Sequence, residues 1–220
     1  FRSPAGADLY DYAETVFSGE KAVDPQGVLN RVISAEQGLP LADFKNFSKI
    51  AAQMSPEDLV KEIDACFRGF DDIVGKYKLE KIKTVGDAYL VTGGLKLGER
   101  ETGSPREVAC NTIHAARDMH AFLRQRAELR KAQNLPWFEA RIGIHTGTVV
   151  AGIVGSRKFA FDVWGDTVNV AQRLEAACEP GRINISSEMH RLIKDDFRCI
   201  PRGKVEVKNI GGVEMYFVEA

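Results

Sequence analysis

Long apolar runs and an excess of one charge are both absent from this sequence of 220 residues. No uninterrupted apolar segment approaches the roughly 18 residues that a membrane-spanning helix needs. The 30 basic and 31 acidic side chains give a formal net charge of −1, which argues against nucleic acid or an anionic membrane as a partner. Gly and Pro, at 20 and 8, are too few for a low-complexity chain. What remains is a globular protein of one large domain.

Cysteine is also scarce, with four residues at positions 66, 110, 178 and 199. None forms a C-x-x-C pair, so neither a disulfide framework nor a zinc site is predicted. Cys66 and Cys110 fall within apolar helical patterns, where a reduced cysteine acts as a small core residue. A reducing, cytoplasmic setting is expected. Because the chain begins at Phe1, we expect a longer parent whose sensor domain or membrane anchor lies outside this sequence.

Several catalytic signatures are missing. The sequence contains neither G-x-x-x-x-G-K-[ST] nor G-x-G-x-x-G, which excludes the two common glycine-rich phosphate cradles. H-E-x-x-H and G-x-S-x-G are absent as well, and the chain has only 4 histidines. A hydrolase that depends on histidine is therefore disfavoured.

The pattern of residues divides the chain at about residue 40. Residues 1–40 are rich in Gly, Pro, Ser and Asp, which predicts a lead-in or linker, and residues 41–220 are predicted to form the folded domain. Pro40 cannot donate a hydrogen bond to a neighbouring strand. We therefore expect the strand before Asp43 to be short, or the chain before residue 42 to take another path.

Helices and strands interleave in the rest of the chain. Ser55-Pro56 and Ser104-Pro105 each combine a capping hydroxyl with a proline at the first helical position, which predicts two long helices. A third helix is predicted over 166–177 and a short one over 188–194. The predicted strands are 80–84, 88–93, 138–145, 148–154, 159–163, 182–186, 197–200, 204–208 and 213–218. This order indicates an α/β (α+β) fold with a largely antiparallel sheet.

Two aspartates are candidates for a metal site. Asp87 lies at the tip of a predicted hairpin behind Gly86, and Asp43 precedes a long helix. Two carboxylates at one end of a sheet would suit hard divalent cations such as Mg²⁺. Gly-Asp is also a common turn dipeptide, so a structural role stays open for Asp87.

Other polar residues have a possible role in binding. Asn169 and Arg173 are four apart on a helix and share one face, where they could hold a sugar and a phosphate or simply face solvent. Lys208 ends a strand, where a lysine is usually exposed. Asp162 stands in the apolar run 159–164, and a carboxylate there needs a partner or a function.

These residues lie in five ordered segments that resemble the catalytic domain of class III nucleotidyl cyclases, of the adenylyl cyclase type. The segments are Ala-Asp-Phe-Lys-Asn-Phe-Ser at 42–48, Glu-Lys-Ile-Lys-Thr-Val-Gly-Asp-Ala-Tyr at 80–89, Arg-Ile-Gly-Ile-His-Thr-Gly at 141–147, Phe-Asp-Val-Trp-Gly-Asp-Thr-Val-Asn-Val-Ala at 161–171, and the C-terminal 202–218. They cover most of the chain. The resemblance implies a ferredoxin-like palm with flanking helices that works as a head-to-tail homodimer, as in bacterial members.

The resemblance also implies roles for individual residues. Asp43 and Asp87, with the main-chain carbonyl of Phe44, match the positions that hold two divalent cations, Mg²⁺ or Mn²⁺. The remaining matches are Lys83 and Asp162 for the purine edge, Asn169 and Arg173 for the ribose and transition state, and Lys208 and Arg141 for the terminal phosphates.

The pair that reads the base indicates the substrate. Adenine presents an acceptor at N1 and donors at its 6-amino group, so a lysine that donates and an aspartate that accepts are complementary to it. The guanylyl branch of the family carries Glu and Cys at the positions of Lys83 and Asp162. The sequence therefore predicts conversion of ATP to cyclic AMP.

The sequence disfavours three other functions. A degenerate cyclase that senses a nucleotide without turnover would not need all of Asp43, Asp87, Asn169 and Arg173. A diguanylate cyclase should carry a Gly-Gly-Asp/Glu-Glu-Phe hairpin, but Gly-Asp-Ala-Tyr stands at 86–89. A guanylyl cyclase is disfavoured by Lys83 and Asp162.

Overall fold

The computed structural model describes residues 30–31, 37–95, 103–154, 160–207 and 211–219. The helices in this part of the chain are α1 (Phe47–Ala51), α2 (Pro56–Lys76), α3 (Pro105–Ala132), α4 (Asp166–Ala176) and α5 (Ser187–Ile193). The strands are β1 (Asn30–Arg31), β2 (Gln37–Phe44), β3 (Glu80–Val85), β4 (Ala88–Thr92), β5 (Ala140–Gly147), β6 (Val150–Val154), β7 (Ala160–Trp164), β8 (Ile183–Ser186), β9 (Cys199–Val207) and β10 (Gly211–Val218).

The main sheet has seven strands in the order β3-β4-β2-β5-β8-β10-β9. The pair β5 and β8 is parallel, and the other neighbours are antiparallel. A second sheet, in the order β1-β6-β7, is wholly antiparallel. The predicted mixed fold with a mainly antiparallel sheet and flanking helices is confirmed.

The two long helices begin at the predicted caps. The Ser55 hydroxyl accepts a hydrogen bond from the Asp58 N–H, and the Ser104 hydroxyl accepts one from the Glu107 N–H. Each cap satisfies one of the N–H groups that a helix start leaves without a partner. Both helices then pack on one face of the main sheet.

Residues of β2 alternate between two cores on opposite faces of the sheet. On one face, Ala42 and Phe44 join the large core formed with α2 and α3. On the other face, Leu39 and Leu41 join a smaller core with Ala171 of α4. Because side chains alternate along a strand, Asp43 lies on the same face as Leu41. Asp43 is thereby directed to the side of the sheet that α4 covers.

Strand β2 starts earlier than the sequence predicts. It pairs with β5 without a break from Gln37 to Phe44, so the predicted boundary at residue 41 falls inside the strand. On the β4 side, pairing runs from Leu41 to Asp43 and resumes at the Gly38–Gly93 bridge. Pro40 lies in that interruption, so its missing N–H costs contacts with one neighbour only. Pro40 therefore does not end the strand, contrary to our expectation.

A second correction concerns strand β9. The sequence predicts separate strands at 197–200 and 204–208, but one strand runs from Cys199 to Val207. Its register against β10 shifts between Met215 and Tyr216, which leaves Arg202 as an extra residue. β9 is at the edge of the sheet, where a bulge and a proline at 201 are tolerated.

The cysteine side chains lie in different environments. All four cysteines are free thiols. Cys66 is buried in the core as predicted, whereas Cys110 is partly exposed and its thiol contacts Asp196. In the described ranges, no helix has both the length and the apolar character to span a membrane.

Candidate active site

The two predicted metal ligands lie side by side at one end of the sheet. Asp43 is the penultimate residue of β2 and pairs in register with Ala88. Asp87 directly precedes Ala88, in the turn that Gly86 makes with φ 61°. Burial, and then the like charge of Asp43, raise the pKa of Asp87 above its usual value. The fold thus brings together two carboxylates that are far apart in sequence.

The residues after Asp43 fix the end of this strand. Phe44 is buried, and its ring stacks on Phe138 with centroids 4.7 Å apart. Only the main chain of Phe44 is therefore available to a ligand, and its role at a metal site stays a prediction. Asn46 then adopts φ 56°, a left-handed conformation that asparagine tolerates, and α1 follows.

Arg141 bridges two acids beside this pair. It lies opposite Asp43 on the neighbouring strand β5. Its Nη2 atom is 2.7 Å from Asp43 Oδ2 and 2.7 Å from Glu175 Oε1. Arg141 was predicted to bind phosphate, and the structure adds that it neutralises Asp43.

Glu175 is a site residue that our sequence analysis missed. It lies on the buried face of α4, where the main-chain atoms of the helix closely approach Gly143 of β5. Burial raises the pKa of Glu175 to about 7, the positive charge of Arg141 opposes that rise, and the negative charge of Asp43 adds to it. The one sequence signal was its position four residues after Ala171, on the apolar stripe of the helix.

Asp43, Asp87, Glu175 and Arg141 form one electrostatic unit, called here the carboxylate cluster. In the described part of the chain, no group of three or more His, Cys, Asp or Glu side chains is arranged to hold a metal ion. Mg²⁺ commonly binds through one or two protein carboxylates, with water and substrate phosphates completing its shell. Asp43 and Asp87 supply hard oxygen donors of that kind, so they fit a divalent cation that is carried with a triphosphate.

Lys83 and Asp162, predicted to read the base, are in direct contact. Lys83 Nζ on β3 is 2.6 Å from Asp162 Oδ2 on β7. The other carboxylate oxygen of Asp162 accepts a hydrogen bond from the Val163 N–H. The side chain of Asp162 is 18% exposed and that of Lys83 is 41% exposed, so both reach solvent at this point. Lys83 is the partner that a carboxylate in an apolar run requires.

Asn169 and Arg173 lie on the far side of α4 from the carboxylate cluster. Ala171 and Glu175 face the sheet, and each helical residue turns by about 100°. Asn169 lies two residues before Ala171 and Arg173 lies two residues after it, so both side chains point away from the sheet. Asn169 is exposed and Arg173 partly exposed. Within one chain, these two residues do not meet Asp43.

Lys208, the remaining predicted phosphate ligand, lies outside the described residues. Its role stays a prediction.

Comparison with known proteins identifies the family of the chain. The family model described as adenylate and guanylate cyclase catalytic domain matches residues 36–220. The chain belongs to this family. The cyclase domain therefore begins before residue 41 in the family match, as it does in the sheet.

Relatives of this cyclase domain include enzymes of both specificities. An adenylate cyclase of Mycobacterium tuberculosis is 36% identical over 184 residues, which cover 83% of this chain and 39% of the relative. The rat guanylate cyclase soluble subunit beta-2 is 33% identical over 181 residues, covering 80% of this chain and 25% of the relative. The adenylyl cyclase CyaB from P. aeruginosa superposes with a TM-score of 0.80 at 26% identity, covering 86% of this chain and 96% of that one.

The close approach between α4 and β5 of this cyclase domain can be tested with glycine variants. A Cβ atom on Gly143 would lie 2.1 Å from Glu175 N and 2.6 Å from Ala171 O. Gly143→Ala must therefore push α4 outward, and we expect it to lower the free energy of unfolding by about 1–3 kcal/mol. Urea denaturation measures the change.

Gly75→Ala is the matched control, because nothing lies within 4 Å of its added Cβ. Since Gly75 is helical, this variant should be neutral or raise stability by about 0.5–1 kcal/mol. Equal stability of the Gly143→Ala and Gly75→Ala proteins would contradict the packing described here.

Proposed function

We propose that this domain is an adenylyl cyclase that converts ATP to 3′,5′-cyclic AMP and pyrophosphate at sites shared between two copies of the chain. The observation that carries the proposal is the contact between Lys83 Nζ and Asp162 Oδ2, which are 2.6 Å apart. The relatives include adenylyl and guanylyl enzymes, so membership of the family does not decide the purine.

Lys83 and Asp162 form a donor and an acceptor at adjacent points. In the free protein each satisfies the other. An adenine edge that enters between them replaces this ion pair with two matched hydrogen bonds, to N1 and from the 6-amino group. A guanine edge presents a donor to the lysine and an acceptor to the aspartate. It would leave polar groups without partners, each at a cost of about 1–3 kcal/mol.

The chemical step requires in-line attack of the ribose 3′-hydroxyl on the α-phosphorus, with pyrophosphate as the leaving group. Divalent cations, Mg²⁺ or Mn²⁺, would supply acidification of that hydroxyl and neutralisation of the triphosphate when bound. Asp43 and Asp87, with the Phe44 carbonyl, would hold them. Arg141 and Lys208 would bind the terminal phosphates, and no protein nucleophile is needed.

Asn169 and Arg173 would act on a site built by the other subunit. Arginine presents a planar fork to phosphoryl oxygens, where it would offset the charge that accumulates in the transition state. Asparagine would orient the ribose. Their direction, away from Asp43 of the same chain, supports a head-to-tail homodimer in which each cleft combines both sets of residues.

The setting of the domain is also a proposal. The chain spans 39% of the length of its mycobacterial relative. We infer that a regulatory or sensor domain accompanies it in the parent, and that it works in the cytoplasm, in keeping with its free thiols.

Incubation with ATP or GTP and each metal, with products identified by mass, tests the substrate. The wild-type domain should form cyclic AMP in preference to cyclic GMP. Lys83→Glu combined with Asp162→Cys should shift the preference toward GTP by at least about tenfold, since more than one mismatched hydrogen bond is corrected. Lys81→Glu, on the same strand but paired with Asp71, is the control and should leave the preference unchanged. An unaltered ATP preference in the double variant would mean that other groups read the base.

Mixing two inactive variants tests the shared site. Asp87→Ala lacks a metal ligand and Arg173→Ala lacks the transition-state arginine, so each alone should be inactive. Their heterodimer has one site with both residues intact, so an equal mixture should recover about a quarter of wild-type activity if subunits exchange at random. The control mixes separate Asp87→Ala preparations and should stay inactive. Failure of the mixed variants to recover activity, with heterodimers verified by mass, would contradict a shared site.

A further inference from the structure

In the free protein, the guanidinium of Arg141 contacts the carboxylate of Asp43. One nitrogen atom, Nη2, contacts both Asp43 Oδ2 and Glu175 Oε1 at 2.7 Å. All three side chains are largely buried, with exposed fractions of 17% for Arg141, 21% for Asp43 and 7% for Glu175. Arg141 is therefore shared between an acid that faces the proposed cations and an acid that lies behind it.

A cation on Asp43 must compete with this guanidinium. The cation and the guanidinium would bind the same carboxylate oxygens, and their positive charges repel each other at short range. If Arg141 simply left Asp43, it would become an uncompensated charge in a partly buried place, which is strongly destabilising. Glu175 provides a second carboxylate for the guanidinium, and the positive charge of Arg141 favours its ionised form.

In the free protein, the contact between Arg141 and Glu175 lacks the alignment of a good hydrogen bond. Arg141 Nε and Glu175 Oε1 are both buried, and neither forms an aligned hydrogen bond. The short contact between Arg141 and Glu175 is thus an ion pair of poor geometry. A small turn of the guanidinium away from Asp43 can improve it, because bonds between arginine and carboxylate are strongest when two N–H groups align.

Glu175 is itself held firmly. It lies on α4 where its main-chain nitrogen closely approaches β5 at Gly143, which has no side chain to keep the two elements apart. Arg141 is on the same strand, two residues earlier. The distance between the two side chains is therefore set by main-chain packing.

We propose that Glu175 is a positioning residue that keeps Arg141 beside the metal site when a divalent cation displaces its guanidinium from Asp43. Arg141 then remains close enough to bind the triphosphate. This inference rests on the proposed function in one respect, namely that Asp43 and Asp87 bind the cation.

A double-mutant cycle with Mn²⁺ alone tests the inference. Binding is followed by the electron paramagnetic resonance of free Mn²⁺ for the wild type, Glu175→Gln, Arg141→Gln and the double variant. Glu175→Gln should weaken Mn²⁺ binding by about tenfold, because Arg141 then has no carboxylate other than Asp43. In the Arg141→Gln background the same substitution should change binding by less than about twofold. Glu175→Asp, which keeps the charge, should restore part of the affinity.

The cycle separates other roles of Glu175. If it bound the cation directly or only supported the fold, Glu175→Gln would weaken Mn²⁺ binding by the same factor in both backgrounds, and that result overturns the inference. No effect in either background overturns it as well. Urea denaturation checks that each variant folds. In the double variant both Arg141 and Glu175 are replaced by neutral residues, so neither of these two positions keeps a buried charge without its partner.

The outcomes are also distinct from those of the proposed function. Cyclic AMP formation together with additive effects on Mn²⁺ binding would overturn the inference alone. A non-additive cycle without cyclic AMP formation would overturn only the proposed activity. Wild-type Mn²⁺ binding that is absent, or that is insensitive to Asp87→Asn, would overturn both the inference and the metal site.

Discussion

Asp43 and Asp87 bring like charges into the same partly buried space, and the guanidinium of Arg141 offsets their repulsion. The strand pairing leaves little freedom in this arrangement, because Asp43 faces Arg141 on one side and the Asp87 turn on the other. The repulsion is also what makes the place suitable for divalent cations, since two carboxylates without full neutralisation attract them. The same guanidinium links Asp43 to Glu175, so that the proposed metal site would depend on the position of α4.

The position of α4 would also leave a single chain with only part of the proposed site. The helix lies tightly on β5, with one face given to Ala171 and Glu175. Asn169 and Arg173 are consequently on the opposite face, whatever the rest of the fold does. In the proposed enzyme a monomer would bind the cations and the base, but its proposed transition-state residues would point away from that site. In this account activity depends on association, and dimer formation is where regulation by another domain would act.

Much of the fold could be predicted from local signals. The serine caps, the Gly86-Asp87 turn and the alternation of apolar residues are short-range features, and the structure has them where expected. The prediction from Pro40 was wrong because the effect of its missing N–H depends on which neighbouring strand would accept a hydrogen bond from it. That is decided by the tertiary pairing of β2 with β4 and β5. Asp162 was predictable as a residue in need of a partner. Glu175 was not, because an acid on a helix usually faces solvent, and only the packing of α4 against Gly143 buries it.

The central claim is that Asp43 and Asp87 of one subunit bind cations that also contact a triphosphate, and that the neighbouring subunit binds the same triphosphate. A crystal structure of the protein with Mn²⁺ and a non-cyclisable ATP analogue tests it most directly. The account predicts Mn²⁺ between the analogue's phosphates and Asp43 and Asp87, with Arg173 of the partner subunit on the phosphoryl oxygens and Arg141 turned toward Glu175. An analogue bound with no metal at these aspartates, or contacted by Arg173 of the same chain, would contradict it.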